Sequence, residues 1–199
     1  MEQPNAEPDL TPDELRLLAQ RDPSALGRFF DVWFSRIYSF VRRMVADDHL
    51  AEDLTQDVFV HIYRAIESYD PARDIRPWVF TIATNKVRDY WRSRRHRDSL
   101  QETSADQEGA ADFMPSKAEQ PDTPLHREER DEDVRKAIDE LPEGMRLALV
   151  LRVYEELSFE EIGRILDRNE VAARKRYSRA LEALRGSLAA THRLHAEGS

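Results

Sequence analysis

The chain from Tyr69 to Arg97 combines arginines with aromatic residues at a spacing that suits contact with nucleic acid. Guanidinium groups pair with phosphates and base edges, and aromatic rings stack on unpaired bases. The stretch begins in a charged turn and then follows a helical pattern that ends in a cluster of arginines. The rings that could stack are Tyr69, Trp78, Tyr90 and Trp91. Taken alone, this pattern is equally typical of a core helix with a solvated basic end, since cations are favoured at helix C-termini.

On a helix of about 3.6 residues per turn, this stretch separates into two sides. The apolar side carries Ile75, Trp78, Val79, Ile82 and Tyr90. The polar side carries Thr81, Thr84, Arg88, Arg92 and Arg95. We expect the first side to be buried, and the second to offer hydroxyl and guanidinium groups to a phosphate backbone.

A second basic cluster lies between Arg168 and Arg185. Before it, Ser158 and Glu161 have the spacing of a capping box and start a predicted helix over residues 159–166. After a turn at residues 167–169, the next helix is predicted over residues 170–190. Two helices joined by a short turn, the second of them basic, are typical of a helix-turn-helix. The predicted DNA-facing residues are Arg168, Ala172, Arg174, Lys175, Arg176, Ser178 and Arg179.

An acidic face is predicted on a helix over residues 50–68. Its buried edge carries Leu54, Val58, Ile62 and Ile66, and the opposite side includes Glu52, Asp53, Gln56, Asp57 and Val60. Such a face is usually only solvated, but the apolar Val60 among the acids favours docking onto a basic helical partner. Thr55 flanks the buried edge, where packing or a bond to the helix backbone is favoured over regulatory phosphorylation.

Composition limits what these elements can build. The 199 residues include 35% charged and 40% hydrophobic residues, few glycines and no alternating strand pattern, so we expect an all-α fold. No cysteine is present, which excludes disulfides and thiolate metal sites. No apolar run approaches the length of a membrane span or a signal-peptide core, so we expect a cytoplasmic protein. The net charge of −9 argues against nucleic-acid binding, but the basic residues are concentrated in two clusters.

We predict two small helical domains joined by a flexible acidic linker, the second a helix-turn-helix domain. Residues 1–10 are predicted to be disordered, and residues 11–97 form the first domain. The linker, residues 98–130, is rich in polar residues and proline. We interpret it as a spacer, although its charge would also suit covering the basic clusters. Residues 131–190 form the second domain, and residues 191–199 form a polar tail.

Within these domains, further helices follow from caps, among them a capping box of Thr11 and Glu14, and from apolar spacing. They are predicted over residues 11–20, 23–45, 131–141 and 145–155. The inward residues of the second of these helices are Leu26, Phe29, Phe30, Trp33, Ile37, Phe40, Val41 and Met44. The inward residues of the last two include Val134, Ile138, Leu141, Leu147, Val150, Leu151 and Tyr154.

The sequence contains no catalytic constellation. It has no phosphate-binding loop, no paired carboxylates on an apolar face and no Ser–His–Asp pattern. His192 and His195 are spaced i, i+3, but without a third ligand nearby they do not predict a metal site. We therefore expect no cofactor, no metal and no small-molecule substrate.

Several segments resemble the extracytoplasmic-function sigma factors of the bacterial sigma-70 family. They are LAEDLTQDVFVHIYRAIESYD, RPWVFTIATNKVRDYWRSRRHR, ELPEGMRLALVLRVYEELSFEEIGRILDRN and RYSRALEALR. The resemblance covers roughly residues 23–97 and 131–188, in the family's order. It implies a protein that binds core RNA polymerase and directs promoter recognition, DNA melting and transcription initiation. It also implies that an anti-sigma factor is a possible further partner.

The resemblance implies a role for each group of residues. The acidic face, Glu52, Asp53, Gln56, Asp57 and Val60, falls where the family docks on clamp helices of the largest polymerase subunit. Residues 68–76 match the loop that captures a flipped base of the minus-ten element. The implied minus-ten contacts are Arg73, Arg76, Trp78, Asn85, Arg88, Arg92, Arg94 and Arg95. The helix-turn-helix residues named above fall where the family reads the minus-thirty-five element.

The chain departs from the family pattern at the start of its recognition helix. The usual triplet resembles Gly-Thr-Val, whereas this chain has Val171, Ala172 and Ala173, and Lys175 replaces a serine. A hydroxyl that could contact phosphate is therefore missing. The change suggests an altered promoter sequence or a greater reliance on phosphate charge.

Two other functions fit the same residues. A helix-turn-helix regulator that dimerises through its first domain would bind duplex DNA without polymerase. A pure interaction protein would use the acidic helix and linker, and it would show no salt-dependent affinity for DNA.

Overall fold

The computed structural model describes residues 10–45, 47–104 and 133–197, and all regular elements in these ranges are helices. This confirms the all-α prediction for the described part of the chain. The helices are α1 (Pro12–Ala19), α2 (Pro23–Arg42), α3 (Asp48–Ala65), α4 (Ile75–Ser104), α5 (133–139), α6 (Glu143–Val153), α7 (Phe159–Ile165) and α8 (Glu170–Glu197), with a short 3-10 helix (Ile66–Ser68) between α3 and α4. Most of the linker, nearly all of residues 1–10 and the last two residues of the tail lie outside the described residues.

Side-chain caps start several helices where the sequence predicts them. Thr11 and Glu14 form a reciprocal capping box before α1, and Ser158 and Glu161 form another before α7. The Asp22 carboxylate accepts bonds from two backbone N–H groups of the first turn of α2. Each cap satisfies donors that the first turn of a helix leaves without a partner.

Helices α2, α3 and α4 enclose an aromatic core. Trp33 and Phe29 of α2 stack with ring centroids 5.7 Å apart, and Phe80 of α4 lies 5.2 Å from Phe40. Leu10, predicted to be disordered, is buried in this core instead. Phe30, predicted to point inward, is exposed because its position faces outward beside Phe34.

The buried side of α4 differs from the predicted one. Val79 and Ile75 are buried as predicted, but Trp78, Ile82 and Tyr90 are only half-buried. The residues that complete the buried side are Phe80, Ala83, Thr84, Val87 and Trp91. The helix turns this row toward α2 and α3, so Thr84 lies in the core rather than on the polar side.

The C-terminal ends of two helices also differ from the predicted ends. Helix α4 continues past residue 98 into the predicted linker, with Arg94 paired to Asp98 at 3.8 Å one turn apart. Helix α8 continues to Glu197, past the predicted start of the tail. In both places no proline or glycine ends the helix at the predicted boundary.

Helices α5 to α8 form a second unit. Leu147 and Leu151 of α6, Ile162 and Ile165 of α7 and Ala173 of α8 are buried. Val134 and Tyr154, predicted to point inward, are exposed. Helix α7 also packs against α4, so buried side chains of both units belong to one continuous apolar cluster.

Candidate nucleic-acid interface

Helix α3 presents the predicted acidic residues on one exposed face. Asp47 caps the helix by accepting a bond from the Leu50 N–H at 2.8 Å, while Leu54, Val58 and Ile62 turn toward the core. The exposed residues are Glu52, Asp53, Gln56, Asp57 and Val60. Asp57 also pairs with Lys86 of α4 at 3.3 Å. The face therefore offers negative charge around one apolar side chain.

Thr55 is fully buried, and its hydroxyl donates to the Ala51 carbonyl oxygen at 2.6 Å. This confirms a threonine bonded to its own helix. A kinase cannot reach a hydroxyl in this position without local unfolding, so regulatory phosphorylation at Thr55 is not supported.

The turn before α4 is fixed by its own hydrogen bonds. The Tyr69 hydroxyl donates to the Arg73 carbonyl oxygen at 2.6 Å. Asp74 accepts from the Arg76 N–H at 2.9 Å and pairs with its guanidinium at 2.6 Å. Burial acts to raise the pKa of Asp74, but the bonds from Arg76 hold it below its ordinary value. The turn is therefore pre-organised, with Arg73 exposed at its edge.

A cleft of about 540 Å³ lies beside this turn. Its walls include Asp70, Arg73 and Trp78 of the first unit, and Glu161 and Arg164 of α7. Trp78 packs on Tyr69 with ring centroids 5.3 Å apart. The cleft thus combines an aromatic ring with charged groups, but α7 forms one of its sides.

Two rings predicted to stack on bases are part of the core. Tyr69 and Trp91 are 4% and 7% exposed. Burial raises the pKa of Tyr69 to about 12, with smaller contributions from Asp74 and Asp70. Trp78 and Tyr90 remain partly accessible. The prediction that all four rings could stack is therefore wrong for Tyr69 and Trp91.

The arginines of α4 divide into two groups. Arg92 and Arg94 are exposed, and each pairs within the helix, with Asp89 at 3.6 Å and Asp98 at 3.8 Å. Asn85 is also exposed. Arg88, by contrast, is half-buried.

The guanidinium of Arg88 donates to the carbonyl oxygens of Ile165 and Leu166, at 3.4 and 3.2 Å. These carbonyls end α7, where helix carbonyls lack partners of their own. Burial, together with Arg176 and Arg168, lowers the pKa of Arg88. Arginines from both predicted DNA surfaces therefore meet where the units pack together.

The helix-turn-helix keeps the predicted geometry. Asn169 caps α8 by accepting from the Ala172 N–H at 2.8 Å, and the Arg168 N–H donates to the Gly163 carbonyl oxygen at 2.8 Å. A Cβ atom on Gly163 would lie 2.8 Å from the Arg168 carbonyl oxygen, so the turn needs glycine at this crowded point. The exposed predicted contacts are Arg168, Arg174, Lys175, Ser178 and Arg179, while Ala172 and Arg176 are half-buried.

Further contacts across the two units are pairings that sequence reasoning missed. Arg36 of α2 donates to the Glu155 carboxylate at 2.8 Å, and Glu155 is only 2% exposed. Arg95 pairs with Glu143, which starts α6. Arg146 donates to the Met44 carbonyl oxygen at 3.2 Å. No local spacing signals these pairs, because each joins residues far apart in the chain.

Other kinds of site receive no support from the described residues. Among them, no group of three or more histidine, cysteine or acidic residues is arranged to hold a metal ion. The side chains of His192 and His195 are not among those described. None of the described helices combines the length and the apolar character that crossing a membrane requires.

Comparisons with known proteins agree with this arrangement. A family model described as Sigma-70 region 2 matches residues 29–97, and one described as Sigma-70, region 4 matches residues 131–184. The chain is similar to the ECF RNA polymerase sigma factor SigW of Bacillus subtilis, at 30% identity over 176 residues. That match covers 87% of this chain and 94% of the relative.

Two solved structures share the fold at 22% sequence identity. The chain is similar to CnrH, solved in complex with the cytosolic domain of CnrY, with a TM-score of 0.65 and coverage of 90% of this chain and 97% of the other. It is also similar to the sigma factor RpoE, solved in complex with the anti-sigma factor NepR from Bartonella quintana, with a TM-score of 0.63 and coverage of 81% and 95%. From the two family models and the similarity to SigW, the chain belongs to the sigma-70 family and is an RNA polymerase sigma factor of the extracytoplasmic-function type.

Proposed function

We propose that this sigma factor binds core RNA polymerase through the exposed acidic face of α3 and binds promoter DNA through α4 and α8. The observation that carries the proposal is the separation of charge over the surface. Negative charge surrounds Val60 on α3, whereas exposed cations follow α4 and the outer side of α8. Such separation lets one small protein contact a basic protein surface and a phosphate backbone at once.

At the minus-ten element, the wall of the cleft that Trp78 and the turn before α4 form is proposed to hold an unpaired base once α7 has moved away. Extruding a base costs a few kcal/mol, and ring contacts and phosphate neutralisation offset that cost. Arg73 lines the cleft, and Arg76 fixes the neighbouring Asp74. Arg92 and Arg94 extend along α4 toward the flanking backbone. The Arg88 and Arg95 side chains join them once the second unit moves away.

At the minus-thirty-five element, α8 is proposed to enter the major groove. Lys175 and Arg179 face outward, and Arg168, Arg174, Arg176 and Ser178 flank them. Together the two DNA contacts position polymerase, and the chain itself carries out no catalysis. We place this action in the cytoplasm, with core polymerase and promoter DNA as partners. An anti-sigma factor is a further proposed partner, because the similar RpoE was solved bound to NepR.

Charge reversal on α3 tests the polymerase contact. We expect Asp53→Arg to reduce the affinity for core polymerase at least a hundredfold, while Asp13→Arg on α1 serves as the charge-matched control and leaves it unchanged. The measurement is titration of labelled full-length chain with core enzyme. Wild-type affinity in Asp53→Arg would contradict the proposal. Specific duplex binding without any affinity for core polymerase would favour the regulator alternative instead.

A further inference from the structure

Helix α8 exposes an apolar side chain where a recognition helix meets DNA. Val171 lies in its first turn and is 74% exposed, the highest value among the exposed large hydrophobic residues that the structure describes. Valine is β-branched and favours a helix less than alanine does. Neither core packing nor helix propensity therefore accounts for valine here. In helix-turn-helix proteins, the N-terminal residues of the second helix contact base edges.

The cations around Val171 differ in how they are held. Arg174 donates to Glu170 at 2.7 Å and lies 4.8 Å from the ring centroid of Phe159, so its guanidinium rests on the surface of its own unit. Lys175 lies one turn after Val171, is exposed, and forms no ion pair within the described part of the chain. Lys175 is therefore the cation beside Val171 that is available to a ligand.

Starting from the proposed function, on which this inference rests, we propose that Val171 and Lys175 determine the sequence read at the minus-thirty-five element. Val171 contacts the C5-methyl group of a thymine, and Lys175 donates to N7 and O6 of a guanine. Val171, Ala172 and Ala173 carry no side-chain donor or acceptor. Base readout at this point is then left to apolar contact, and the thymine methyl is the apolar group that the major groove offers.

The geometry of the first turn suits this pair. Residues four apart on a helix face have Cβ atoms about 5–6 Å apart. Bases along one strand are spaced by about 3.4 Å, so the thymine and guanine lie one or two steps apart. Ala172 is small enough to allow close approach, and the Asn169 cap fixes its N–H. The reading residues are therefore held before DNA binds.

A promoter library tests the sequence preference. The full chain is assembled with core polymerase and used to select templates with a constant minus-ten element and randomised minus-thirty-five positions. We expect wild type to enrich a thymine one or two steps from a guanine, and Val171→Ala to lose only the thymine preference. Val153→Ala, at the exposed end of α6, is the matched control and should keep the thymine preference. A wild-type selection without a thymine preference would overturn the inference.

Removing the methyl group alone tests the contact itself. In the selected promoter the thymine is replaced by deoxyuridine. We expect the affinity of the wild-type holoenzyme to fall about fourfold, as for the loss of one buried methyl-sized group, with no change for Val171→Ala. An equal loss for both proteins would overturn the inference. If the holoenzyme makes no start-site-specific transcript, the proposed function itself fails. If the holoenzyme makes such a transcript but Val171→Ala selects the same sequence as wild type, only this inference fails.

Discussion

The arginines of α4 and the outer face of α8 are both predicted DNA surfaces, but they differ in access. Arg88 and Arg95 on α4 contact the second unit, through the end of α7 and through Glu143. Lys175 and Arg179 on α8 are exposed. Packing of the two units therefore covers part of the predicted minus-ten surface, whereas Lys175 and Arg179 of the predicted minus-thirty-five surface stay open. If both surfaces bind DNA as proposed, we expect a promoter to engage them together only after α7 has moved away from α4.

The contact between the units combines apolar burial with costly buried charge. Burial raises the pKa of the Glu155 carboxyl above its ordinary value, and the opposing effects of Arg36, Arg43 and Arg76 do not cancel this rise. Desolvation therefore outweighs attraction at this ion pair, as is common for buried salt bridges. The two members of the pair should then respond differently to removal.

The largest effect is expected from Arg36→Ala, which leaves the buried Glu155 carboxylate without its hydrogen-bonded ion-pair partner. Breaking a buried pair in this way costs about 3 kcal/mol, equivalent to a shift of more than a hundredfold toward separated units. The measurement is energy transfer between dyes on cysteines placed at Gly27 and Gly186, where an added Cβ meets nothing within 4 Å. The chain has no cysteine of its own to interfere.

The double variant Arg36→Ala/Glu155→Gln is the control for this experiment. Removing the carboxylate charge also removes the free-energy cost of burying that charge without its partner. The energy transfer of the double variant should therefore return toward the wild-type value. Unchanged transfer in Arg36→Ala would show that the ion pair does not hold the units together.

A second effect separates the covered arginines from the exposed ones. Arg92→Ala should weaken the promoter complex about tenfold, because one charge-assisted phosphate contact is lost, and should reduce the salt dependence by about one contact. Arg92→Ala should leave the distance between the units unchanged, whereas Arg88→Ala should alter both promoter binding and that distance. The measurements are promoter binding by the holoenzyme at several salt concentrations and energy transfer in the free chain. Identical behaviour of the two variants would remove the distinction between covered and exposed arginines.

A pH dependence should follow from Glu155. Because its pKa is raised in the packed arrangement, packing is most favoured below its ordinary value of 4.5, and this contribution is lost as pH rises through the raised pKa. Energy transfer between the same two dyes should therefore fall as the pH increases from 4.5. Glu155→Gln should remove this part of the dependence. A rise in energy transfer over the same pH range would contradict this prediction.

The smallest effect concerns backbone strain in the two units. Glu156 has a φ of 56°, and Arg21 has a φ of 60°, a conformation that glycine adopts without strain. Glu156→Gly should stabilise the fold by about 0.5 kcal/mol. Arg21→Gly should give no gain, since Arg21 also pairs with Glu67 at 3.2 Å and lies over the Tyr63 ring. Urea unfolding midpoints measure both, and equal shifts would show that these contacts contribute nothing.

Sequence patterns predicted the features that depend on local spacing. The capping boxes before α1 and α7 and the common exposed face of the α3 acids are confirmed. The functional roles of these residues stay predictions.

The rest depends on tertiary packing. Periodicity showed that α4 has two sides, but only its packing on α2 and α3 shows that Thr84 and Trp91 turn inward. Arg36 and Glu155 are separated by most of the chain, so no pattern in the sequence pairs them. The contact of Arg88 with the end of α7 also joins residues far apart in the chain, so it too depends on tertiary packing.

The central claim is that this chain directs polymerase to promoters through α3, α4 and α8. Mapping the 5′ ends of transcripts made by core polymerase and the purified chain from a promoter library tests it most directly. We predict defined start sites that require the chain and that are lost with Asp53→Arg. Transcripts with the same 5′ ends in the presence and absence of the chain would contradict the account.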